Sequence, residues 1–326
     1  MKNYRNHYVD PVNYIIDWSE LENYSVFLDE LTDVPESKSL NNVTITEAWI
    51  TNQVMRFNIK WFEWEVVTVY ANIEIWVWLD NHRGIHMSRC EEALFGTVDT
   101  IFDSLSDVAE YLWNELMRLQ SSDSVSIKLD AVYLHHHRTH KTNKVSFDKI
   151  YLISEYSIIK WEVNTKTWVK AYNITACPCT RTYTKFSVVP KLLDYWLTID
   201  QVNKVLNTAL TWTHTQRGTV SLILSGKDLN ITHFELYTIL NDSTHLIFDL
   251  LKRPDEHDLV VRALSKPQFT EDVWRDVSFQ VCEKLIGKVS DTTNIYIESI
   301  LHDSIHIHDV RTMISKSFQD LYSEIN

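Results

Sequence analysis

The 326-residue sequence predicts an α+β fold in which antiparallel strands alternate with grouped helices. Three observations carry that expectation. Stretches of strict apolar–polar alternation, such as Met55 to Trp61, have the two-residue period of a strand with one wet face. Val273, Val277, Val281 and Leu285 recur at the spacing of an amphipathic helix. The segments of the first half run strand, strand, helix, strand, strand, and the second half repeats the theme less regularly. The length is a prior for about two domains, and the order of elements puts the division near residue 160.

Residues 1–40 show no strong period and read as a loosely structured lead-in containing Pro11 and Pro35, which leaves 41–160 and 161–326 as the two domains. Met55, Phe57, Ile59 and Trp61 form the apolar side of a first strand, and residues 66–79, rich in β-branched and aromatic side chains, form a more deeply buried second. Ile101, Phe102, Leu105, Val108, Ala109, Leu112 and Leu116 fall on one helical stripe. Val125, Ile127, Leu129 and Ala131 alternate as a strand, and residues 146–159 make the next. In the second half, strands are predicted near 160–176, 213–224 and 292–300, and helices near 199–209, 231–252 and 271–286. Thr270 is the expected N-cap of the last of these and Gly287 its terminator. A short helix near 309–324 closes the chain, and most of the 12 tryptophans are expected in the core.

Composition narrows the function classes. Hydrophobic residues make up 44% and charged residues 23%, which excludes wholesale disorder. A net charge of −13 argues against a nucleic-acid partner. Charges interrupt every apolar run well short of a membrane span, and MKNYRNHYVD has no apolar core, so a cytoplasmic protein with no membrane partner and no signal peptide is expected. Five glycines leave no room for the glycine-rich loops that cradle nucleotide phosphates. Four cysteines make no disulfide framework. Cys90 and Cys282 are expected in the core, whereas Cys177 and Cys179, i and i+2, are either two ordinary buried thiols or a pair facing one pocket from an extended segment.

Five polar segments are explained neither as core nor as ordinary surface: RGIHMSR (83–89), the Cys177-Pro178-Cys179 element, THTQRG (213–218), the acidic RPDE (253–256) with PQFTED (267–272), and DSIHIHD (303–309). His306 and His308 share a face if the last is extended. Thiolate, imidazole and carboxylate from separated points of one half-chain suit zinc or ferrous iron, with about three protein ligands and one coordination position left for water. The run His135, His136, His137 and His140 reads instead as a solvated hairpin loop.

With ITACPC (174–179), LLKRPDE (250–256) and KPQFTED (266–272) among them, these motifs occur in the order in which they occur in a known family. The chain resembles the prokaryotic type B GTP cyclohydrolases and their archaeal relatives of methanopterin and folate synthesis. That resemblance implies two tandem tunnelling-fold domains, each an antiparallel sheet with helices on one face, assembled as a homotetramer or dimer of dimers. It implies that Cys177, His214 and Glu256 bind one divalent metal per subunit, Fe(II) first, with Mn(II) or Zn(II) as alternatives. Glu271 would anchor the guanine edge of GTP. Cys179, His306 and His308, with Asp303 beside them, would assist catalysis, and Arg83, His86, Arg89 and Arg217 would hold the triphosphate.

Two positions depart from the family pattern: Thr215 stands where Asn usually follows the metal-binding histidine, and Asp303 stands where Glu precedes Ser-Ile-His. The 34 residues between Cys179 and His214 resemble the helix-containing insert of the archaeal branch. That branch implies 7,8-dihydroneopterin 2′,3′-cyclic phosphate, formate and pyrophosphate as products. The bacterial alternative is 7,8-dihydroneopterin triphosphate with formate, and a third is a purine- or pterin-binding protein that hydrolyses nothing.

Overall fold

The structure, a computed structural model, describes residues 35, 45–62, 64–79, 83–120, 122, 124–159, 162–209, 211–227, 229–250 and 252–325. The lead-in expected over 1–40 lies outside them, Pro35 apart. The first half contains β1 (Glu47–Lys60), β2 (Val66–Trp78), α1 (Met87–Phe95), β3 (Ile101–Phe102), α2 (Leu105–Gln120), β4 (Val125–Arg138) and β5 (Val145–Ile159). The second contains β6 (Glu162–Ala176), α3 (Pro178–Ser187), α4 (Val189–Asp194), α5 (Ile199–Thr208), β7 (Thr215–Gly226) and α6 (His233–Ser243). It continues with α7 (Arg253–Ser265), α8 (Thr270–Leu285), β8 (Asn294–His302), β9 (Asp309–Ser317) and α9 (Phe318–Ile325). The strands of the described residues form one sheet in the order β3-β1-β2-β4-β5-β6-β7-β8-β9. All its ladders are antiparallel except the two-residue contact of β3 with β1. The expected α+β class is what forms, and the sheet runs unbroken across residue 160 because β5 pairs with β6.

Register explains the core. Ala71, Ala131, Leu152, Val169, Leu222 and Ile297 are successive partners across six strands, and each is buried. Residues on this side lie under α2, α6 and α8, whose buried stripes include Leu112 and Leu116, Leu236 and Leu240, and Val277 and Val281. Each such aliphatic side chain contributes about 1.5–3 kcal/mol by leaving water. The opposite side carries the row Glu74, Lys128, Glu155 and Lys166, with Lys128 3.4 Å from Glu74 and Lys166 2.9 Å from Glu155. Alternation is legible in the sequence because only one side is covered by helices.

Several elements differ from expectation. Ile101 and Phe102 form β3, so the helix starts only at Leu105. The helix expected over 231–252 ends at Ser243. The chain beyond it joins the sheet: Ile174 N–H donates to His245 O (2.9 Å), Ile247 N–H to Tyr172 O (3.0 Å) and Asp249 N–H to Phe147 O (3.0 Å). Residues 309–317 are strand β9, and only 318–325 are helical. Helix α7 was not predicted, having few buried apolar residues (Leu259, Ala263 and Leu264) to mark a stripe. The histidines 135–137 lie inside β4 rather than in a loop; the turn that follows spans 139–144. Of the described tryptophans only Trp61 is buried, and Trp196 is 93% exposed. Cys90 and Cys282 are core residues as expected, and burial pushes the Cys90 thiol up to about 12.

Antiparallel register also fixes which loops share an end of the sheet. The C-terminal ends of β4, β6 and β8 and the N-terminal ends of β5, β7 and β9 lie together. The C-terminal end of β2 and the N-terminal end of β4 lie at the other.

Candidate active site

Strand β6 ends at Ala176, and Cys177 caps α3 with Pro178 in the first turn, where its missing N–H costs nothing. The cysteine pair is therefore not extended, as one reading of its spacing required. Cys177 is half-buried, whereas Cys179 is exposed and lines a groove of about 510 Å³ with Pro178, Thr182, Tyr183, Phe186 and Phe269. His214 immediately precedes β7, and the end of the β6–β7 ladder sets it beside Cys177, whose N–H donates to His214 O at 3.1 Å. Thr213 Oγ1 closes the junction by donating to Cys177 O at 3.0 Å.

Helix α8 is pinned to the same strand end. Gln268 N–H donates to Ala176 O (3.2 Å), and its side-chain amide donates to Ser243 O (3.2 Å) and Asp276 Oδ2 (2.6 Å). Thr270 Oγ1 donates to Ser299 O (3.3 Å) and lies 3.0 Å from Thr312 Oγ1. Phe269, rather than Thr270, is the capping residue, and the Asp272 carboxylate accepts its N–H at 3.1 Å. Glu271 is thereby held exposed in the first turn, between Thr270 and Asp272.

Glu256 lies in the first turn of α7 and is exposed. Its neighbour Asp255 is buried and fixes the helix: it accepts from the N–H groups of Lys141 and Thr142 (both 3.1 Å) and from Thr142 Oγ1 (2.5 Å). Burial opposes the charge of Asp255, but these bonds hold its carboxyl below the usual range. Pro267 separates α7 from α8, so Glu256 and Glu271 are on different helices as expected.

Asp303, His306 and His308 belong to the loop between β8 and β9, not to a strand. Asp303 Oδ1 accepts from the N–H groups of Ile305 (2.8 Å) and His306 (2.9 Å) and lies 3.1 Å from His306 Nδ1. Those bonds, that from Ile305 first, hold its carboxyl down at about 2. The imidazoles of His306 and His308 stack, with centroids 5.2 Å apart and planes at 28°, and both are exposed. The shorter Asp in place of Glu thus braces the loop through its backbone.

Arg217 is exposed on β7, opposite Ile174. The other triphosphate candidates lie elsewhere. Arg83 precedes α1, His86 caps it with its N–H donating to Gln120 Oε1 (3.1 Å), and Arg89 Nη1 donates to Leu119 O (2.7 Å). Gln120 ends α2, just before β4 begins, so these three side chains belong to the far end of the sheet from Cys177. Within one chain the sequence-predicted residues therefore form two groups. Cys177, Cys179, His214, Glu271, Asp303, His306 and His308 gather around one sheet end, with α7 and Glu256 tied to the 139–142 turn at that end; Arg83, His86 and Arg89 lie at the other. Among the described residues of one chain, no three His, Cys, Asp or Glu side chains come close enough to hold an ion. Cys177 and His214, both half-buried and adjacent, do supply the sulfur and nitrogen donors that zinc or ferrous iron accept.

Sequence reasoning missed a polar floor beside this junction. Asn173, Thr175, Gln216 and Ser299 are buried on the helix-covered side of β6–β8, and Asn173 Oδ1 and Nδ2, Thr175 Oγ1, Gln216 Oε1 and Ser299 Oγ have no hydrogen-bond partner among the described residues. The available signal was phase: Asn173 and Thr175 continue the inward row of Val169 and Ala171 with polar side chains. Gly218 makes this floor possible, because a Cβ there would lie 2.4 Å from Ile300 O and 3.0 Å from Asn173 Oδ1.

A thiol, an imidazole and acidic helix starts collected at one end of an antiparallel sheet define an enzyme-like polar site on an α+β scaffold. The chain belongs to the GTP cyclohydrolases: the sequence model described as type I GTP cyclohydrolase folE2 matches residues 31–312. It is similar to the GTP cyclohydrolase MptA of Methanococcus maripaludis (25% identical, covering 91% of this chain and 98% of that protein). The GTP cyclohydrolase MptA of Thermoplasma volcanium is 28% identical over 92% of this chain and 99% of its own. Among solved structures, a uricase from Bacillus fastidious superposes with a TM-score of 0.44 at 9% identity, covering 86% of this chain and 94% of that one. No helix of the described residues is long and apolar enough to cross a membrane.

Proposed function

We propose that this chain is a cytoplasmic, metal-dependent GTP cyclohydrolase of pterin biosynthesis that converts GTP to 7,8-dihydroneopterin 2′,3′-cyclic phosphate, formate and pyrophosphate. The observation that carries the reading is the junction of Cys177 with His214 at the sheet end where α8 presents Glu271. The similarity to archaeal GTP cyclohydrolases named MptA supports the same chemistry.

Cys177 and His214 would hold one divalent ion, Fe(II) before Mn(II) or Zn(II); Glu256 does not join them among the described residues of one chain and would complete the set only by moving in with α7 or arriving from a neighbouring subunit. Such an ion, when bound, makes water acidic enough to attack carbon near neutral pH and draws off developing charge. The Glu271 carboxylate accepts the ring N–H and exocyclic amine of guanine, which fixes C8 against the Cys177–His214 junction. Cys179, His306 and His308 carry protons between the ring nitrogens and solvent as the imidazole ring opens and formate leaves, a contribution of about 10²–10⁴-fold. Arg217 and, from another subunit, Arg83, His86 and Arg89 neutralise the triphosphate.

Two features support a shared site in a homotetramer or dimer of dimers built from two tunnelling-fold units per chain. Each half has two strand pairs with helices between them, the second half carrying the α3–α5 insert between β6 and β7, and the two groups of candidate residues lie at opposite ends of one sheet. The 178–212 insert exposes Tyr183, Phe186, Tyr195, Trp196, Ile199 and Trp212, apolar surface of the kind that assemblies cover. Anaerobic incubation with GTP and Fe²⁺, followed by mass spectrometry, tests the reading: a cyclic phosphate with one formate per GTP is expected, and a triphosphate product would assign the bacterial route. Cys177→Ala should abolish formate release and lower the bound metal while the oligomer persists; unchanged turnover would remove Cys177 from the ligand set.

A further inference from the structure

One cavity lies apart from every residue assigned above. It measures about 620 Å³, within the range of small-molecule sites, and sits between β4, β5, the turn after β1, α6 and residues 246–248. Its walls are aromatic. Trp61 packs against Phe234 (5.4 Å between centroids) and Tyr237 (5.8 Å), Phe62 against Phe234 (4.8 Å), and Phe248 against His137 (4.5 Å).

Its polar groups converge from β4, β5, α6 and α7, with Trp61 from the turn after β1. Trp61 Nε1 donates to His135 Nδ1 at 3.0 Å, so the neutral ring carries its proton on Nε2. Tyr237 Oη donates to Asp148 Oδ2 at 2.6 Å. Asp148 is 5% exposed, yet its Oδ1 has no hydrogen-bond partner among the described residues; His137 Nδ1 lies 3.3 Å away without hydrogen-bond geometry. Both ring nitrogens of His137 and Nη2 of Arg262 are also buried without hydrogen-bond partners among the described residues, although Arg262 Nε donates to Asp258 Oδ2. Buried polar atoms left without hydrogen bonds are costly, and a bound molecule with matching groups would offset that cost.

We infer that this cavity is a second binding site, for a planar nitrogen heterocycle whose edge alternates hydrogen-bond donors and acceptors. The aromatic walls fit the faces of such a ring. The edge follows from the inventory of groups. Arg262 Nη2 and His135 Nε2 can only donate, Asp148 Oδ1 accepts, and a neutral His137 offers one of each. A phosphate, presenting acceptors alone, leaves Asp148 unmatched, and an ammonium group leaves the guanidinium and imidazole N–H groups unmatched. Burial holds the imidazoles neutral, His135 down at about 4 and His137 below its usual value, while Asp148, raised to about 6, remains an ionised acceptor near neutral pH. None of Cys177, His214, Glu256, Glu271 or Arg217 lines the cavity, so this site is separate from the proposed catalytic one.

Titration calorimetry of the full-length protein with guanosine, adenosine and unsubstituted pterin, none carrying phosphate, tests the inference. At least one should bind with a Kd below ~1 mM. Asp148→Asn and His137→Phe should each weaken that binding about tenfold or more, while GTP turnover persists and Glu271→Gln leaves the binding intact. Thr238→Phe, which narrows the cavity from α6, serves if either variant fails to fold. Failure of all three compounds to bind, or binding that Glu271→Gln abolishes and the cavity variants leave unchanged, overturns it.

Discussion

His233 shows how much one residue at the seam between the halves controls. It is 2% exposed at the start of α6, and its Nε2 lies 3.0 Å from Ile153 O and 3.2 Å from Ser154 Oγ. Ser154 in turn lies 3.1 Å from Ser106 of α2, which is also 3.1 Å from Thr167 of β6. Burial holds the His233 imidazole down at about 4. The unfolded chain, titrating near 6.5, therefore binds a proton that the folded chain refuses between those values, so stability falls as pH drops through that window. The loss for this residue is on the order of 3 kcal/mol. His135 acts in the same direction, and Asp148, raised to about 6, acts in the opposite one, since its folded form takes up a proton first. Denaturant unfolding between pH 7 and 4.5 should show stability falling with acid, and His233→Gln, which keeps a donor for Ile153 O, should flatten that limb. An unchanged slope would move the acid sensitivity elsewhere.

At the scale of elements, Gly218 lets β7 pass close to β8. A side chain at Gly218 would lie 2.4 Å from Ile300 O and 2.5 Å from Leu301 Cδ2. Gly218→Ala must part the strands beside the polar floor, at about 1–3 kcal/mol. Gly84→Ala meets nothing within 4 Å. Thermal melts should show the first variant destabilised and the second near wild type; equal melting temperatures would contradict the packing at Gly218. The same elements show what the sequence revealed and what it hid. Strands β1, β2, β4 and β5 were legible because one face is covered and the other wet. Strand β9 was read as helix: at the sheet's edge it pairs only with β8, and its burial pattern alternates only between exposed and half-buried. Cys-Pro-Cys looked extended because nothing in its three residues signals that Pro178 opens a helix. The candidate motifs stand out in the sequence by residue type and order; their separation to two sheet ends does not, since it depends on strand direction. The cavity was hidden because His135, His137 and Asp148 come from two strands whose pairing no local pattern announces.

For the whole molecule, division of the candidate residues between sheet ends makes a prediction about the assembly. If each site takes the 83–89 segment from one subunit and Glu271 from another, Arg89→Ala and Glu271→Gln enzymes, each impaired alone, should complement when dissociated and reassembled together. Mixed assemblies contain some sites with neither lesion, so the mixture should regain a fraction of wild-type turnover. Absence of any recovery in verified hetero-oligomers would confine each site to one chain.

The latch between Asp255 and the 139–142 turn bears on how such a chain can change over evolutionary time. The carboxylate that steadies the helix bearing Glu256 is received by a hairpin from the other half of the polypeptide. Neither half can be exchanged like a cassette with that of a distant relative, because a graft imports a helix start without the hairpin shaped to receive it. Innovation in this chain must then proceed by paired changes on both sides of the latch, or be confined to parts that touch it nowhere, such as the aromatic insert after Cys179.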